Sequence, residues 1–211
     1  MKSKERMMAK AFTEQERIEI KEKILEAALE LFHDKGTKAL SIAELTKRAG
    51  IAQGSFYNFW KDKEALIMEL IAYRSSQKLN YIEKKFSNSL SDPAEFLTDI
   101  IYRYSVDLME KIQKQPMYED AFKILEAKNR NEVHRIEILY DDFLTKLIEY
   151  WEQNGSIKRA DKKGLLNAFS GSFLLCSHYY QFDKEYFNEM LLTFISGIVN
   201  KYMGASKNIS F

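Results

Sequence analysis

The feature that most constrains the fold of this sequence is its scarcity of helix-ending residues, with 8 Gly and 2 Pro among 211 residues. Sheet proteins need frequent tight turns, and such turns draw heavily on these two residues. Helix start signals recur along the chain. Thr13 with Glu16 and Ser41 with Glu44 form capping boxes, and Asp92–Pro93 combines an N-cap with a proline at the first helical position. We therefore predict an all-α chain.

Apolar residues at helical spacing, together with these signals, locate the helices. After the first helix, Gly36 is a stop signal, and Asp62, Asp161 and Asp183 are predicted N-caps. The predicted helices cover about 14–35, 42–49, 53–59, 62–86, 92–114, 116 to a bend near 129–131, and the stretch from there to 154. Two further helices begin after Asp161 and Asp183, and the second of them ends at Gly204.

Composition indicates a soluble protein, with 45% hydrophobic and 30% charged residues. The single Cys176 argues against an internal disulfide framework or a Cys-cluster zinc site and fits a reducing compartment. The first ten residues lack the apolar run of a signal peptide, and no stretch approaches the ~18 apolar residues of a membrane span. We expect a cytoplasmic protein.

No catalytic or cofactor motif is present. The sequence has no phosphate-binding loop, dinucleotide glycine pattern, zinc-protease helix or nucleophile elbow. The three histidines, His33, His134 and His178, lie on separate predicted helices, outside any metal-ligand spacing. We therefore expect no enzyme activity, no cofactor and no metal. An enzyme whose site assembles from distant residues stays a remote alternative.

Residues 41–59 carry the strongest motif, two short helices that meet at a turn at Gly50. Five apolar residues in this segment have the phase that faces the first helix, namely Ile42, Leu45, Ala49, Ile51 and Phe56. Gln53, Ser55, Tyr57 and Asn58 are left pointing outward from the second helix. The major groove of DNA admits one helix, whose outward side chains must donate to and accept from base edges. The segment is therefore predicted to be a helix-turn-helix.

Each predicted DNA contact has a chemical reason. The Gln53 amide, at the start of the second helix, can pair with adenine, whereas Ser55 and the Tyr57 hydroxyl can reach phosphates. Lys61 and Lys63 flank a helix N-terminus, where free N–H groups and partial positive charge favour phosphate, and Lys47 adds a second cation. Residues 1–63 hold 13 Lys and Arg against 10 Asp and Glu, a mild basic excess.

Residues 20–66 resemble the DNA-binding domain of the tetracycline-repressor (TetR) family. The matching stretches are Ile24–Phe32, Gly36, the helix-turn-helix and the run Phe56–Leu66. The resemblance implies a three-helix DNA-binding domain followed by a domain of about six helices, in a dimer that represses and leaves DNA when it binds a small molecule. It also implies DNA contacts from Ser41, Gln53, Gly54, Ser55, Tyr57, Asn58 and Lys63.

Two positions depart from the family pattern. Ala43 stands where many members have an arginine, which puts a base contact from that helix in doubt. Ala52 stands where a capping side chain is common, so the second helix of the motif lacks that stabilisation.

The helix after Asp161 is apolar on more than one face, which requires cover on more than one side. A partner subunit is the predicted second cover, through a four-helix bundle of the last two helices of each chain. The alternative is that both helices only close the monomer core. The predicted interface residues are Phe169, Gly171, Phe173, Phe187, Leu191, Phe194, Ile195, Gly197, Ile198 and Tyr202.

A ligand pocket, if the chain has one, is predicted among the middle helices, because Met and aromatic side chains suit an adaptable apolar cavity. The alternative is that Met and aromatic residues at this helical spacing form an ordinary hydrophobic core. The candidates are Tyr102, Met109, Met117, Tyr118, Phe122, His134, Phe169, Phe173 and Tyr179. Nothing in the sequence identifies the effector.

The sequence thus predicts four regions. Residues 1–13 form a flexible basic arm that either reaches the minor groove or stays solvated; residues 14–62 form the helix-turn-helix domain; residues 63–204 form the helical ligand-binding and dimerisation domain; residues 205–211 form a tail. The predicted function is a homodimeric, sequence-specific DNA-binding transcriptional regulator, a repressor released from a palindromic operator by a small molecule. A factor of the same fold that senses no small molecule is the main alternative.

Overall fold

The computed structural model describes residues 12–35, 40–127 and 130–204, with 32–35, 116–117, 125–127 and 130–136 described by their backbone alone. Most of the predicted basic arm, the stop at Gly36 and the predicted tail lie outside the described residues. So do the side chains of the pocket candidates Met117 and His134.

The fold is all-α. The α-helices are α1 Glu14–Lys35, α2 Ile42–Arg48, α3 Lys63–Glu83, α4 Pro93–Lys114, α5 Pro116–Ala127, α6 Arg130–Gln153, α7 Lys162–Ser177 and α8 Phe187–Tyr202. Short 3₁₀ helices cover Gln53–Asn58, Phe86–Ser89 and Tyr179–Gln181. The described residues contain no β-strand, only an isolated bridge between Ala160 and Met203. The chain divides into two compact units, residues 1–66 and 67–211.

The first unit begins with the predicted capping box. The Glu16 amide donates to Thr13 Oγ1 at 3.2 Å, and the Thr13 amide donates to Glu16 Oε2 at 2.8 Å. Two of the amides at the start of α1 that lack a partner within the helix are thus satisfied. The core of the unit consists of apolar residues from its helices and the segments between them, namely Ile24, Leu25, Ala27, Ala28, Leu40, Leu45, Phe56, Trp60 and Leu66.

The second unit has a larger core, built mainly by α4, α6, α7 and α8. Trp151 on α6 is fully buried there. Two glycines of α7 let α8 approach closely: a Cβ at Gly164 would collide with the Tyr202 ring, and one at Gly171 would meet Phe194 Cε1 at 2.8 Å. Helix packing in this unit therefore depends on small residues at two crossing points.

Three predicted helix features differ from the structure. The second helix of the motif is a 3₁₀ helix, in which the Ser55 amide donates to the Ala52 carbonyl at 2.9 Å, and its N-cap Ala52 makes no side-chain cap bond. Helix α3 ends at Glu83 rather than near residue 86, because residues 86–89 form a separate 3₁₀ turn. Asp183 does not cap α8, because its carboxylate accepts from the Glu185 amide in a local turn.

No helix within the described ranges combines the length and apolar character that crossing a membrane requires.

Candidate functional site

The turn between α2 and the following 3₁₀ helix is fixed by backbone hydrogen bonds. Ser41 caps α2 and accepts from the Glu44 amide at 3.5 Å. At the other end the Gly50 amide donates to the Lys47 carbonyl at 3.2 Å, and the Ile51 amide donates to the Thr46 carbonyl at 2.9 Å. This is a Schellman motif, whose left-handed position Gly50 fills with φ 72°. The turn therefore sets the angle between the two helices of the motif.

The 3₁₀ helix Gln53–Asn58 has one buried and one open face. Phe56 is completely buried and its ring lies 5.4 Å from that of Trp60, whereas Tyr57 is 59% exposed. The side chains of Gln53 and Asn58 are exposed as well, and Ser55 is half-buried. Of the four residues predicted to point outward, three are thus exposed and one is half-buried.

The open face also includes Gly54. A Cβ built at Gly54 meets no atom within 4 Å, and its φ lies outside the left-handed region. Neither the packing nor the backbone conformation of this chain therefore requires a glycine at this position.

Arg17 of α1 holds the far end of the 3₁₀ helix. Its guanidinium donates to the Asn58 carbonyl at 3.0 Å and lies 5.1 Å from the centroid of the Phe59 ring. Because this bond uses the backbone oxygen, it fixes the position of residue 58 and leaves the Asn58 amide group at the surface.

The lysines predicted to bind phosphate differ in how far they are exposed. Lys47 and Lys61 are exposed, whereas Lys63 is half-buried at the start of α3. The Asp62 carboxylate accepts from the Ala65 amide at 2.7 Å. The Asp62 carboxylate at this helix end would repel a bound phosphate. Attraction of a phosphate to this end would therefore depend on the positive charge of Lys63 more than on the helix N-terminus itself.

Arg48, which follows Lys47, forms ion pairs with two glutamates of its own chain. It contacts Glu44 at 2.9 Å and Glu30 at 3.0 Å. The hydrogen bond that Arg48 donates to Glu44 is the main reason that the pKa of Arg48 is raised. Because of these ion pairs, Arg48 is less available to bind phosphate than the exposed Lys47.

A second candidate region lies in the unit formed by residues 67–211, where several predicted pocket residues come together. The rings of Phe122 and Phe173 stack with centroids 4.6 Å apart. Phe169 stacks at 4.7 Å on Tyr140, a residue that sequence analysis did not select. The other described candidates, Tyr102, Met109, Tyr118 and Tyr179, are half-buried. Tyr179 lies beyond the end of α7, where its ring meets that of Tyr180 at 6.1 Å.

Sequence analysis also missed a polar cluster in this region. Lys78 of α3 and Lys111 of α4 both donate to Asp107 at 2.6 Å. The spacing of Asp107 and Lys111 was a usable signal, because residues four apart on a helix are neighbours. Lys78 had no such signal, since its pairing with Asp107 depends on the packing of α3 against α4. Nearby at the end of α4, Gln115 Oε1 is buried and has no hydrogen-bond partner among the described residues.

The predicted dimer residues fall into two groups. Phe169, Phe187, Leu191 and Ile195 are buried inside their own chain, so for these four positions the alternative of closing the monomer core describes the structure better. Phe173, Phe194, Ile198 and Tyr202 are half-buried, as is Gly171 against Phe194, and Gly197 is exposed. Two exposed leucines that sequence analysis did not list, Leu174 on α7 and Leu192 on α8, are 61% and 42% exposed. They are apolar surface on the two helices predicted to dimerise.

Cys176 is buried on α7. Burial raises the pKa of its thiol to about 12, against a smaller opposing effect of a hydrogen bond with Ser105. A neutral thiol of this kind is a poor nucleophile. The described residues also contain no group of three His, Cys, Asp or Glu arranged to hold a metal ion.

Comparison with known proteins relates the first unit to one family. Residues 24–70 match the model for bacterial regulatory proteins of the tetR family. The HTH-type transcriptional regulator YvdT of Bacillus subtilis is 50% identical over 46 residues, which cover 22% of this chain and 24% of that protein. AcrR of Shigella flexneri is 32% identical over 90 residues, covering 42% of this chain and 41% of that protein. Each match spans less than half the length of the relative.

Solved structures relate the whole chain by fold. The structure of RolR without ligand aligns with this chain over 87% of this chain and 98% of RolR, with a TM-score of 0.58 and 16% identity. FadR of Thermus thermophilus, solved with lauroyl-CoA, covers 90% and 99%, with a TM-score of 0.59 and 17% identity. At these identities the likeness concerns the fold alone. The sequence matches relate residues 24–70 to bacterial regulatory proteins of the tetR family, and the solved structures relate the whole chain to them by fold alone.

Proposed function

We propose that this chain is a sequence-specific DNA-binding transcriptional regulator that acts as a homodimer on a palindromic operator and leaves it when a small molecule binds. The match of residues 24–70 to the model for bacterial regulatory proteins of the tetR family supports the DNA-binding part. The ligand-responsive part is supported by two structures of similar fold: FadR of Thermus thermophilus is described as a repressor in complex with lauroyl-CoA, and RolR was also solved with resorcinol.

The observation that carries the proposal is the open face of residues 53–58. A short helix that is anchored by the buried Phe56 presents Gln53, Tyr57 and Asn58 to solvent, and Lys47 and Lys61 of the same unit are exposed as well. This is the arrangement that a major-groove reader needs, with base-reading groups on the helix and cations beside it for the phosphates.

In this proposal Gln53, at the start of the 3₁₀ helix, reads a base edge, and the exposed Asn58 lies at its other end. The Ser55 and Tyr57 hydroxyls and the lysines at 47, 61 and 63 bind phosphates, with Ser41 at the start of α2 as a backbone contact. Gly54 lets the DNA backbone approach the helix closely, because it is the position where a side chain would project into the groove with no role inside the protein.

The test of close approach is Gly54→Ala. Nothing in the chain lies within 4 Å of the added Cβ, so thermal stability should stay the same or rise, by up to about 1 kcal/mol. Affinity for a duplex selected from a random library with the wild-type protein should fall at least tenfold. Fluorescence anisotropy measures the affinity. Wild-type affinity in Gly54→Ala would contradict a groove-facing position for this residue.

Base reading and phosphate binding are separated by their dependence on sequence and salt. Gln53→Ala should lose about 1–3 kcal/mol of preference at one base pair. Lys63→Ala should weaken all duplexes alike and lower the slope of log affinity against log salt by about one. Gln15→Ala and Lys23→Ala, exposed changes on α1, are the matched controls. A Lys63 variant indistinguishable from the Lys23 variant would remove Lys63 from the interface.

A further inference from the structure

The cluster of Lys78, Asp107 and Lys111 has more positive charge than its own carboxylate can neutralise. Both ammonium groups lie 2.6 Å from the same atom, Asp107 Oδ2, so their nitrogens are no more than twice that distance apart. Two cations and one anion leave an excess of one positive charge. A structural ion pair needs only one lysine, and the second ammonium at this distance repels the first.

The cluster is partly withdrawn from water, which makes that excess costly. The side chains of Lys78 and Lys111 are 35% and 23% exposed. Burial is the main reason that the pKa of Lys78 is lowered, and the charge of Lys111 lowers it further. Burial alone would raise the pKa of Asp107, but the two ammonium groups outweigh burial and lower it. Lys78, Asp107 and Lys111 act on one another with two positive charges against one negative charge, so a second anion would stabilise the cluster.

Aromatic rings adjoin both ammonium groups. Lys78 Nζ lies 4.8 Å from the centroid of Tyr104, and Lys111 Nζ lies 5.9 Å from that of Tyr118. Tyr104 and Tyr140 both pack against the core of the unit, and Tyr140 stacks on Phe169 at 4.7 Å. The ring beside Lys78 therefore belongs to the aromatic border of that core. A charged group at one end and flat apolar surfaces behind it suit a ligand that is itself amphipathic.

We propose that Lys78 and Lys111 bind the acidic head group of an organic anion with a flat apolar body, and that such anions are the effector class of this chain. That the anion acts as an effector rests on the proposed function. That Lys78 and Lys111 bind the anion does not depend on it. Asp107 holds the two ammonium groups at a spacing at which two oxygens of one carboxylate or sulfonate can each accept from one lysine.

The test compares two fluorescent probes that share an apolar body and differ in charge: anilinonaphthalene sulfonate, an anion, and N-phenylnaphthylamine, its neutral counterpart. The wild-type protein should bind the anion more tightly than the neutral probe. Lys78→Met and Lys111→Met should each weaken the anion by about tenfold, as expected for a lost charge-assisted hydrogen bond, and change the neutral probe less than twofold.

The control is Lys146→Met, which removes a lysine paired with Glu83 at 2.9 Å on the surface of the same unit. It should leave both probes unchanged and so exclude a general effect of net charge. A displacement experiment on the wild-type protein needs no variant to fold: benzoate should displace the anionic probe, whereas benzyl alcohol at the same concentration should not.

Three results would overturn the proposal. The first is equal binding of the anionic probe to the wild type and both lysine variants, and the second is equal displacement by benzoate and benzyl alcohol. Lack of binding of the anionic probe to the wild type would overturn it as well. DNA binding by the wild type, measured without probe, separates this outcome from failure of the proposed function. Intact DNA binding without charge selectivity refutes only the inference, and charge selectivity without DNA binding refutes only the proposed function.

Discussion

Replacing Ser89 with alanine should destabilise the second unit far more than its small change in volume suggests. Ser89 Oγ accepts a hydrogen bond from Trp151 Nε1 at 2.6 Å and donates one to the Phe86 carbonyl at 2.6 Å. Ser89 and Trp151 are both completely buried. The alanine variant therefore leaves an indole N–H in the core without its acceptor.

The magnitude follows from the cost of an unsatisfied buried donor, about 1–3 kcal/mol, with a smaller contribution from the lost bond to the carbonyl. We expect Ser89→Ala to lower the free energy of unfolding by about 2 kcal/mol. For a chain of this size each kcal/mol corresponds to roughly 2–4 °C, so Tm should fall by about 4–8 °C.

The assay is thermal and urea unfolding followed by circular dichroism, with all variants at one protein concentration because dimerisation would shift Tm. Ser87→Ala is the matched control, since Ser87 lies in the same 3₁₀ turn but is exposed. In a Trp151→Phe background, which has no indole donor, the cost of Ser89→Ala should shrink by more than half. Equal effects of the Ser89 and Ser87 changes would refute this account.

The remaining predictions concern the dimer and the thiol. Gly197→Leu should be tolerated by the single chain, because no atom lies within 4 Å of the added Cβ, but should shift sedimentation toward monomer; an unaltered dimer would place the interface elsewhere. Cys176, whose thiol pKa is raised to about 12, should not react with an aromatic disulfide reagent at pH 8 until the protein is unfolded. Since the ordinary pKa is 9.0, the stability that the neutral thiol contributes should be present below pH 9 and lost as the pH rises toward 12, and rapid modification of the folded protein would contradict burial.

The sequence by itself determined the features of this protein that depend on neighbours three or four residues apart. The Thr13–Glu16 capping box, the Asp92 and Asp161 caps and the Gly50 turn all form as predicted. Their hydrogen bonds close within one helical turn, so the residue types alone specify them. The bounds of α1 and α4 follow for the same reason. The resemblance of the first unit to the tetR family also depends on one continuous stretch of sequence, residues 24–70.

Only the tertiary structure decided which side chains meet across helices. Lys78 and Asp107 are separated by 29 positions and Trp151 and Ser89 by 62, and no periodicity records such pairs. The same limit explains why Phe187 and Leu191, apolar positions in a helical register, could be assigned to a dimer seam when they close the core of their own chain. An apolar stripe specifies that a helix face must be covered, because exposing it to water is unfavourable, but not which surface covers it. Which surface covers each helix face depends on how α4, α6, α7 and α8 pack together, and that packing depends on the shapes of residues distant in sequence.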